Sequence, residues 1–240
     1  MDEQDQSTQI EETGSEVIED QELTRIEAGI VGQLESLFGS ESSGHDITHL
    51  IRVRNLAEHI SAKEGGDRRV IILASLLHDM HRLIQSQSGK FCPPAESISQ
   101  VDEILSQHNL DPDTLDKIHR CIVHHEEYDF SERGKITEDL ETLILQDADN
   151  LDAMGAIGIA RAFMFGGAKN VPIWTPDIPL EKEHYDESKL DPSEIHHFYS
   201  KLLKLKDNMN TKTGKEMAQK RHDVMVNYLE EFFREWKGES

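Results

Sequence analysis

Three groups of histidines in this chain stand beside carboxylates. His45 and His49 are one helical turn apart, His78 is followed directly by Asp79, and His124-His125 is followed by Glu126 and Glu127. Three further acids, Asp147, Asp149 and Asp152, fall in an otherwise apolar stretch. A lone histidine on a helix is most often a hydrogen-bonded core or surface residue, but an unpaired carboxylate in an apolar helix costs several kcal/mol. These apolar segments offer few Arg or Lys as partners. A divalent metal ion neutralises carboxylates and accepts imidazole nitrogen, so it resolves both problems. A His, a His-Asp pair and a later Asp on three separate apolar segments are far more specific together than any one of them.

The elements that must position these residues read as helices. Ile26, Ile30, Leu34 and Leu37 recur every three or four residues and predict an amphipathic helix ending near Gly39. Asp46 is the expected N-cap of a second helix, with Leu50, Val53, Ala57 and Ile60 on its buried stripe. A third, from Arg68 to about Ile84, is apolar nearly all round and therefore central. Further helices are expected over Ser97–His108, Asp113–His125, Glu138 to about Phe165, Ser193–Met209 and Lys212–Trp236. No long stretch alternates with period two, and the expected fold is a single all-α helical bundle around a buried site. Pro172, Pro176, Pro179 and Pro192 mark the 166–192 segment as a loop that could close over a site.

Composition narrows the function. Asp and Glu total 47 against 25 Lys and Arg, a formal charge of −22, which disfavours a nucleic-acid polymer or an anionic membrane as partner. Residues 1–25 hold nine acids and one base, and 1–21 reads as a disordered acidic tail outside a 22–240 domain. Two cysteines make no disulfide framework, and neither a spanning segment nor a secretory signal is visible. The expectation is a soluble, cytoplasmic protein.

The chain resembles the HD-domain metal-dependent phosphohydrolases, whose pattern of His, His-Asp and a later Asp occurs here at His49, His78-Asp79 and Asp149. Gly44-His45-Asp46-x-x-His49-x-x-Arg52-Val53, Asp147 to Gly155, Lys201 to Lys206, Thr211, Thr213, Arg221-His222 and Glu235-Trp236 extend the likeness to the YpgQ-like bacterial branch. The resemblance implies His49, His78, Asp79 and Asp149 as ligands of one divalent ion. Manganese is favoured among Mn²⁺, Fe²⁺, Co²⁺ and Mg²⁺. Asp147 and Asp149 lie about 200° apart on a helix and cannot both face one ion. Periodicity does not choose between them, and the choice of Asp149 rests on the family pattern. Asp152 shares that face and would act from behind the ligands.

A cyclic-dinucleotide phosphodiesterase branch uses a similar His-His-Glu for a second metal. It carries a Lys and a Gly-Tyr-Pro motif where this chain has Arg82 and Tyr128-Asp129-Phe130. A single-ion site is therefore expected, with His124 or His125 protonating a leaving oxygen or steadying the phosphate. Arg52, Lys201, Lys204 and Arg221 are the candidate substrate contacts. The implied substrate is a small phosphorylated metabolite, a nucleotide, with a homodimer allowed. The expected reaction converts (deoxy)nucleoside triphosphate to monophosphate and pyrophosphate. The alternatives are a 5′-nucleotidase, a cyclic-nucleotide phosphodiesterase and a non-catalytic nucleotide sensor.

Overall fold

Helix α3, Arg68–Leu77, is enclosed by its neighbours because its sequence leaves no polar face. Val70 through Leu77 are all fully buried, and Ser75 satisfies its hydroxyl by donating to the Ile71 carbonyl at 2.6 Å. Burying each such Ile or Leu contributes about 1.5–3 kcal/mol. The computed structural model describes residues 3–39, 46–127, 139–180 and 189–239, with side chains from residue 18 onward. His45, Tyr128-Asp129-Phe130 and residues 181–188 of the expected loop lie outside these ranges.

Around α3 pack α1 (Glu3–Phe38), α2 (Ile47–Glu64), α6 (Pro112–His124) and α7 (Leu140–Asp152). Asp46 caps α2 as the sequence predicts, accepting from the His49 amide at 2.9 Å. Asp67, Asp111 and Asp139 cap α3, α6 and α7 in the same way. The described residues form helices and turns and contain no strand, so the all-α architecture holds. No single described helix is long and apolar enough to cross a membrane.

Two helices that the sequence pattern reads as continuous are broken, and both breaks serve the site. The expected Arg68–Ile84 helix stops at Leu77 and resumes as α4, Met80–Ser88, leaving His78 and Asp79 in the turn between. The expected Glu138–Phe165 helix divides into α7 and α8 (Gly155–Lys169), which meet at a 70° bend. Met154 is extended and Gly155 has φ +69°, a left-handed conformation that favours glycine. A Cβ at Gly155 would also sit 3.0 Å from Arg221 Cγ on α10 (Lys212–Trp236), so close helix approach enforces the bend.

Smaller differences come from tertiary packing at the short helices and from local helix propensity at the N-terminal end. Ser97–His108 becomes a 3-10 turn at Pro94–Ser97 followed by α5, Ile98–Leu105. Ser193–Met209 becomes α9, Glu194–Ser200, and a 3-10 segment, Leu202–Asn208. The backbone of α1 runs helically through most of the acidic stretch expected to be disordered, which is Glu- and Gln-rich and free of proline. Its described side chains before Leu23 are exposed, and core packing begins at Leu23 and Ile26. The loop expected over 166–192 starts later, since α8 continues to Lys169. Its described part is strapped to α9: the Pro172 and Ile173 carbonyls accept from the Glu194 and Ile195 amides.

Candidate metal centre

Every candidate ligand comes from an element whose ends were fixed above. His49 lies on the first turn of α2, His78 and Asp79 in the α3–α4 break, and Asp149 on the last turns of α7. The two histidines are oriented through Nδ1. His78 Nδ1 is 2.7 Å from the Ser75 carbonyl, and His49 Nδ1 is 2.8 Å from Asp152 Oδ2. A carbonyl or carboxylate oxygen only accepts, so each Nδ1 carries a proton and each ring turns its Nε2 toward the acids.

Both Nε2 atoms face carboxylates. His49 Nε2 lies 3.3 Å from Asp79 Oδ2 and 3.6 Å from Asp149 Oδ1. His78 Nε2 lies 3.8 Å from Asp79 Oδ1 and 3.9 Å from Asp149 Oδ1. Ligand atoms held about 2.1 Å from one ion are about 3.0 Å apart when adjacent and about 4.2 Å apart when opposite. The observed spacings fall within that range. His78 Nε2 is buried with no hydrogen-bond partner, so the donor set fits a divalent cation on geometry as well as chemistry. Asp149 keeps 16% of its side chain exposed and gives the cluster its access to solvent.

The electrostatics agree. Burial pushes His78 down to about 4, against the pull of Asp79 and Asp149, so it stays neutral and ligand-ready. Burial opposes charge on Asp149 as well, but the Coulomb attraction of the facing imidazoles in their protonated form holds it below the ordinary carboxylate range. His49 is shifted upward: burial and Arg161 oppose its protonation, and the bonds to Asp152 and Asp79 overcome them. The cluster thus attracts positive charge at its centre, which a proton or a metal ion can supply.

Asp152 sits behind His49. Its fully buried carboxylate accepts from Arg52 Nε at 2.7 Å, Arg52 Nη2 at 3.0 Å and Arg161 Nη1 at 2.9 Å, besides facing His49. Although burial opposes its ionisation, these partners hold its carboxyl far below the usual range. The expected substrate contact Arg52 is therefore placed as the clamp on Asp152, with 30% of its side chain exposed. Asp147 points the other way. It accepts from the Asn210 and Thr211 amides at 2.7 and 2.8 Å and from Thr211 Oγ1 at 2.7 Å, anchoring the start of α10.

The two adjacent histidines at the end of α6, His124 in its last turn and His125 just after it, separate in space. His125 is fully buried, with its ring 5.0 Å from that of His78. His124 is 37% exposed and bonds through Nδ1 to Glu127 at 2.8 Å. Of the other expected substrate contacts, Arg221 is half-buried, packs on Gly155 and donates to the Leu151 carbonyl. Lys201 closes α9, and Lys204 lies on the 3-10 segment leading to Asn210 and Thr211, on the Asp147 side of α7. His81 and Glu126, which the residue pattern did not select as site members, join Asp79 and His125 in a second group. The signal for His81 was its place three residues after His78, obscured by the helix break.

This fold with His, His-Asp and Asp at its centre defines an HD domain, and the HD-domain family model matches residues 46–154. The uncharacterized protein YpgQ of Bacillus subtilis strain 168 is 35% identical over 208 residues, covering 85% of this chain and 91% of YpgQ. The chain belongs to the HD-domain family. An HD-superfamily hydrolase from Bacillus thuringiensis matches with TM-score 0.67 and 33% identity, covering 90% of this chain and 98% of that one. Bacillus subtilis YpgQ solved in complex with ADP matches with TM-score 0.61 and 32% identity, covering 88% of this chain and all of that one.

Proposed function

We propose that this protein is a divalent-metal-dependent phosphohydrolase that converts nucleoside or deoxynucleoside triphosphates to monophosphate and pyrophosphate. The observation that carries the reading is the buried His49, His78, Asp79 and Asp149 cluster, with His78 Nε2 presented to it and lacking any hydrogen-bond partner. The ADP bound by the related YpgQ supports a nucleotide as ligand. A divalent ion there would supply a positive seat for phosphoryl oxygens and acidify bound water.

In this reading water adds to the α-phosphorus, and the bond to the bridging oxygen breaks. Pyrophosphate leaves with the bonding pair. Asp152, clamped by Arg52 and Arg161, keeps the His49 ring aimed, so this group positions and does not touch the reacting atoms. In the same reading His124, 37% exposed and bonded through Nδ1 to Glu127, exchanges a proton at Nε2 with the departing or entering oxygen. Manganese is the favoured ion, since mixed nitrogen and oxygen ligation suits it better than Mg²⁺.

The test is product analysis with Mn²⁺-loaded protein and a panel of nucleoside mono-, di- and triphosphates and cyclic dinucleotides. Pyrophosphate released from triphosphates is expected. Orthophosphate from monophosphates, or turnover of cyclic dinucleotides alone, would overturn the substrate assignment.

A further inference from the structure

Glu194 opens α9 with its side chain buried, and its Oε2 has no hydrogen-bond partner. The carboxyl fills the space that α8 leaves open at Gly166, where an added Cβ would stand 2.5 Å from Glu194 Cδ. The first residues of α9 also hold the strap at 171–178. The Glu194 and Ile195 amides donate to the Pro172 and Ile173 carbonyls at 3.0 and 3.1 Å, and His196 Nε2 lies 3.1 Å from the Ile178 carbonyl. The strap leaves α8 at Gly166 itself, whose carbonyl accepts from the Val171 amide at 2.9 Å. Trp174 on the strap stacks on the His196 ring, with centroids 5.0 Å apart. One carboxyl thus sits where α8, α9 and the strap meet.

Among the described residues no cation pairs with that carboxyl. His196 is bonded to Ser193 and faces the Ile178 carbonyl, and His197 is bonded to Asp191. On α8, Arg161 is bonded to Asp152 and Lys169 lies over the Phe165 ring. The strap carries Asp177, the 3-10 segment carries Lys204, Lys206 and Asp207, and α10 meets α9 through Tyr228 on Phe198. Of these groups Asp191 is the one whose charge bears on Glu194, and burial reinforced by Asp191 pushes the carboxyl up to about 7. A neutral acid fits this place, whereas a carboxylate buried there without a partner is strongly disfavoured.

We propose that Glu194 is a latch operated by pH: in its neutral form it closes α9 onto Gly166 and holds the strap, and its ionisation opens that contact and frees residues 171–178. Because the folded-state pKa lies above the ordinary value, the closed form is favoured at low pH and lost as pH rises through about 7. Protonation of His196 would remove the lone pair that accepts from the Ser193 hydroxyl, so any release it caused would run the other way, on acidification. The latch closes on the helix that carries Arg161 to Asp152, yet its readout needs neither metal nor substrate.

Hydrogen exchange of the full chain, followed by mass spectrometry and corrected for intrinsic exchange, tests this. In the wild type the protection of peptides carrying the Val171, Glu194 and Ile195 amides is expected to fall about tenfold between pH 6.5 and 8, while α3 stays protected. Glu194→Gln, uncharged throughout, should show no such fall. Gly166→Ala, whose Cβ displaces the carboxyl, should leave these amides weakly protected at both pH values. Constant protection in the wild type, or an equal fall in a folded Glu194→Gln, would overturn the proposal. If Glu194→Gln does not fold, Gly166→Ala decides, since wild-type protection in that variant overturns the proposal equally.

Discussion

Asp147 and Asp149 stand two residues apart on α7, yet their surroundings are opposite. Four hydrogen-bond donors from Asn210 and Thr211 converge on Asp147. Asp149 is faced by the Nε2 atoms of His49 and His78 at 3.6 and 3.9 Å. The first carboxylate is satisfied by fixed protein dipoles and holds the N-terminus of α10 in place. The second confronts lone pairs that a proton or cation must reconcile. Identical residue types in one helix thus divide into a structural anchor and a candidate ligand, and what divides them is the character of the atoms they meet.

The largest stability effect is expected on the anchoring side. Asp147→Asn sets an amide donor against the Thr211 N–H and hydroxyl, and should cost about 2–4 kcal/mol in denaturant unfolding while leaving metal content intact. Gly214→Ala should act in the same direction, because a Cβ there would lie 2.2 Å from Asp147 Oδ2. Unchanged stability in both variants would remove the anchor from the account.

The ligand side responds differently. Asp152→Asn leaves the four candidate ligands in place but loosens the clamp on His49, and should weaken Mn²⁺ binding about 10- to 100-fold, with a loss of stability smaller than that of Asp147→Asn because Arg52 and Arg161, left without their partner charge, keep partial access to water. Metal titration calorimetry checks this, and unaltered affinity would show that Asp152 does not position His49.

A smaller effect concerns Glu194, buried on α9 beneath Gly166 and pushed up to about 7 by burial and the nearby Asp191. Its folded-state pKa lies above the unfolded value, so the folded protein favours the neutral acid. Its contribution to stability is present at low pH and is lost as pH rises through about 7. Glu194→Gln, which stays neutral, should flatten that decline in melts across pH 5 to 8. An equal decline in wild type and variant would contradict the assignment.

The contrast between the two aspartates also marks where sequence stops being sufficient. Helix stripes were readable wherever one face is polar, so Asp46 capping α2 and the Lys212–Trp236 limits of α10 match the pattern. The breaks at His78-Asp79 and at Ala153-Met154 were not readable, because neither carries a local helix breaker strong enough to outweigh its apolar surroundings. Packing of α8 on α10 and the placement of His78 impose them. Helical periodicity could not choose between Asp147 and Asp149, since α7 is buried on both faces. The family pattern made that choice, and the facing imidazoles give its physical reason. His125 parts from His124 only in three dimensions, where one ring turns toward His78 and the other toward Glu127.

Metal content of Asp149→Asn and Asp147→Asn, purified and loaded with Mn²⁺ side by side with wild type, tests the central claim most directly. The account predicts that Asp149→Asn loses the tightly bound ion while Asp147→Asn retains it despite its lower stability. Retention of that ion by a folded Asp149→Asn, or its loss from a folded Asp147→Asn alone, would contradict it.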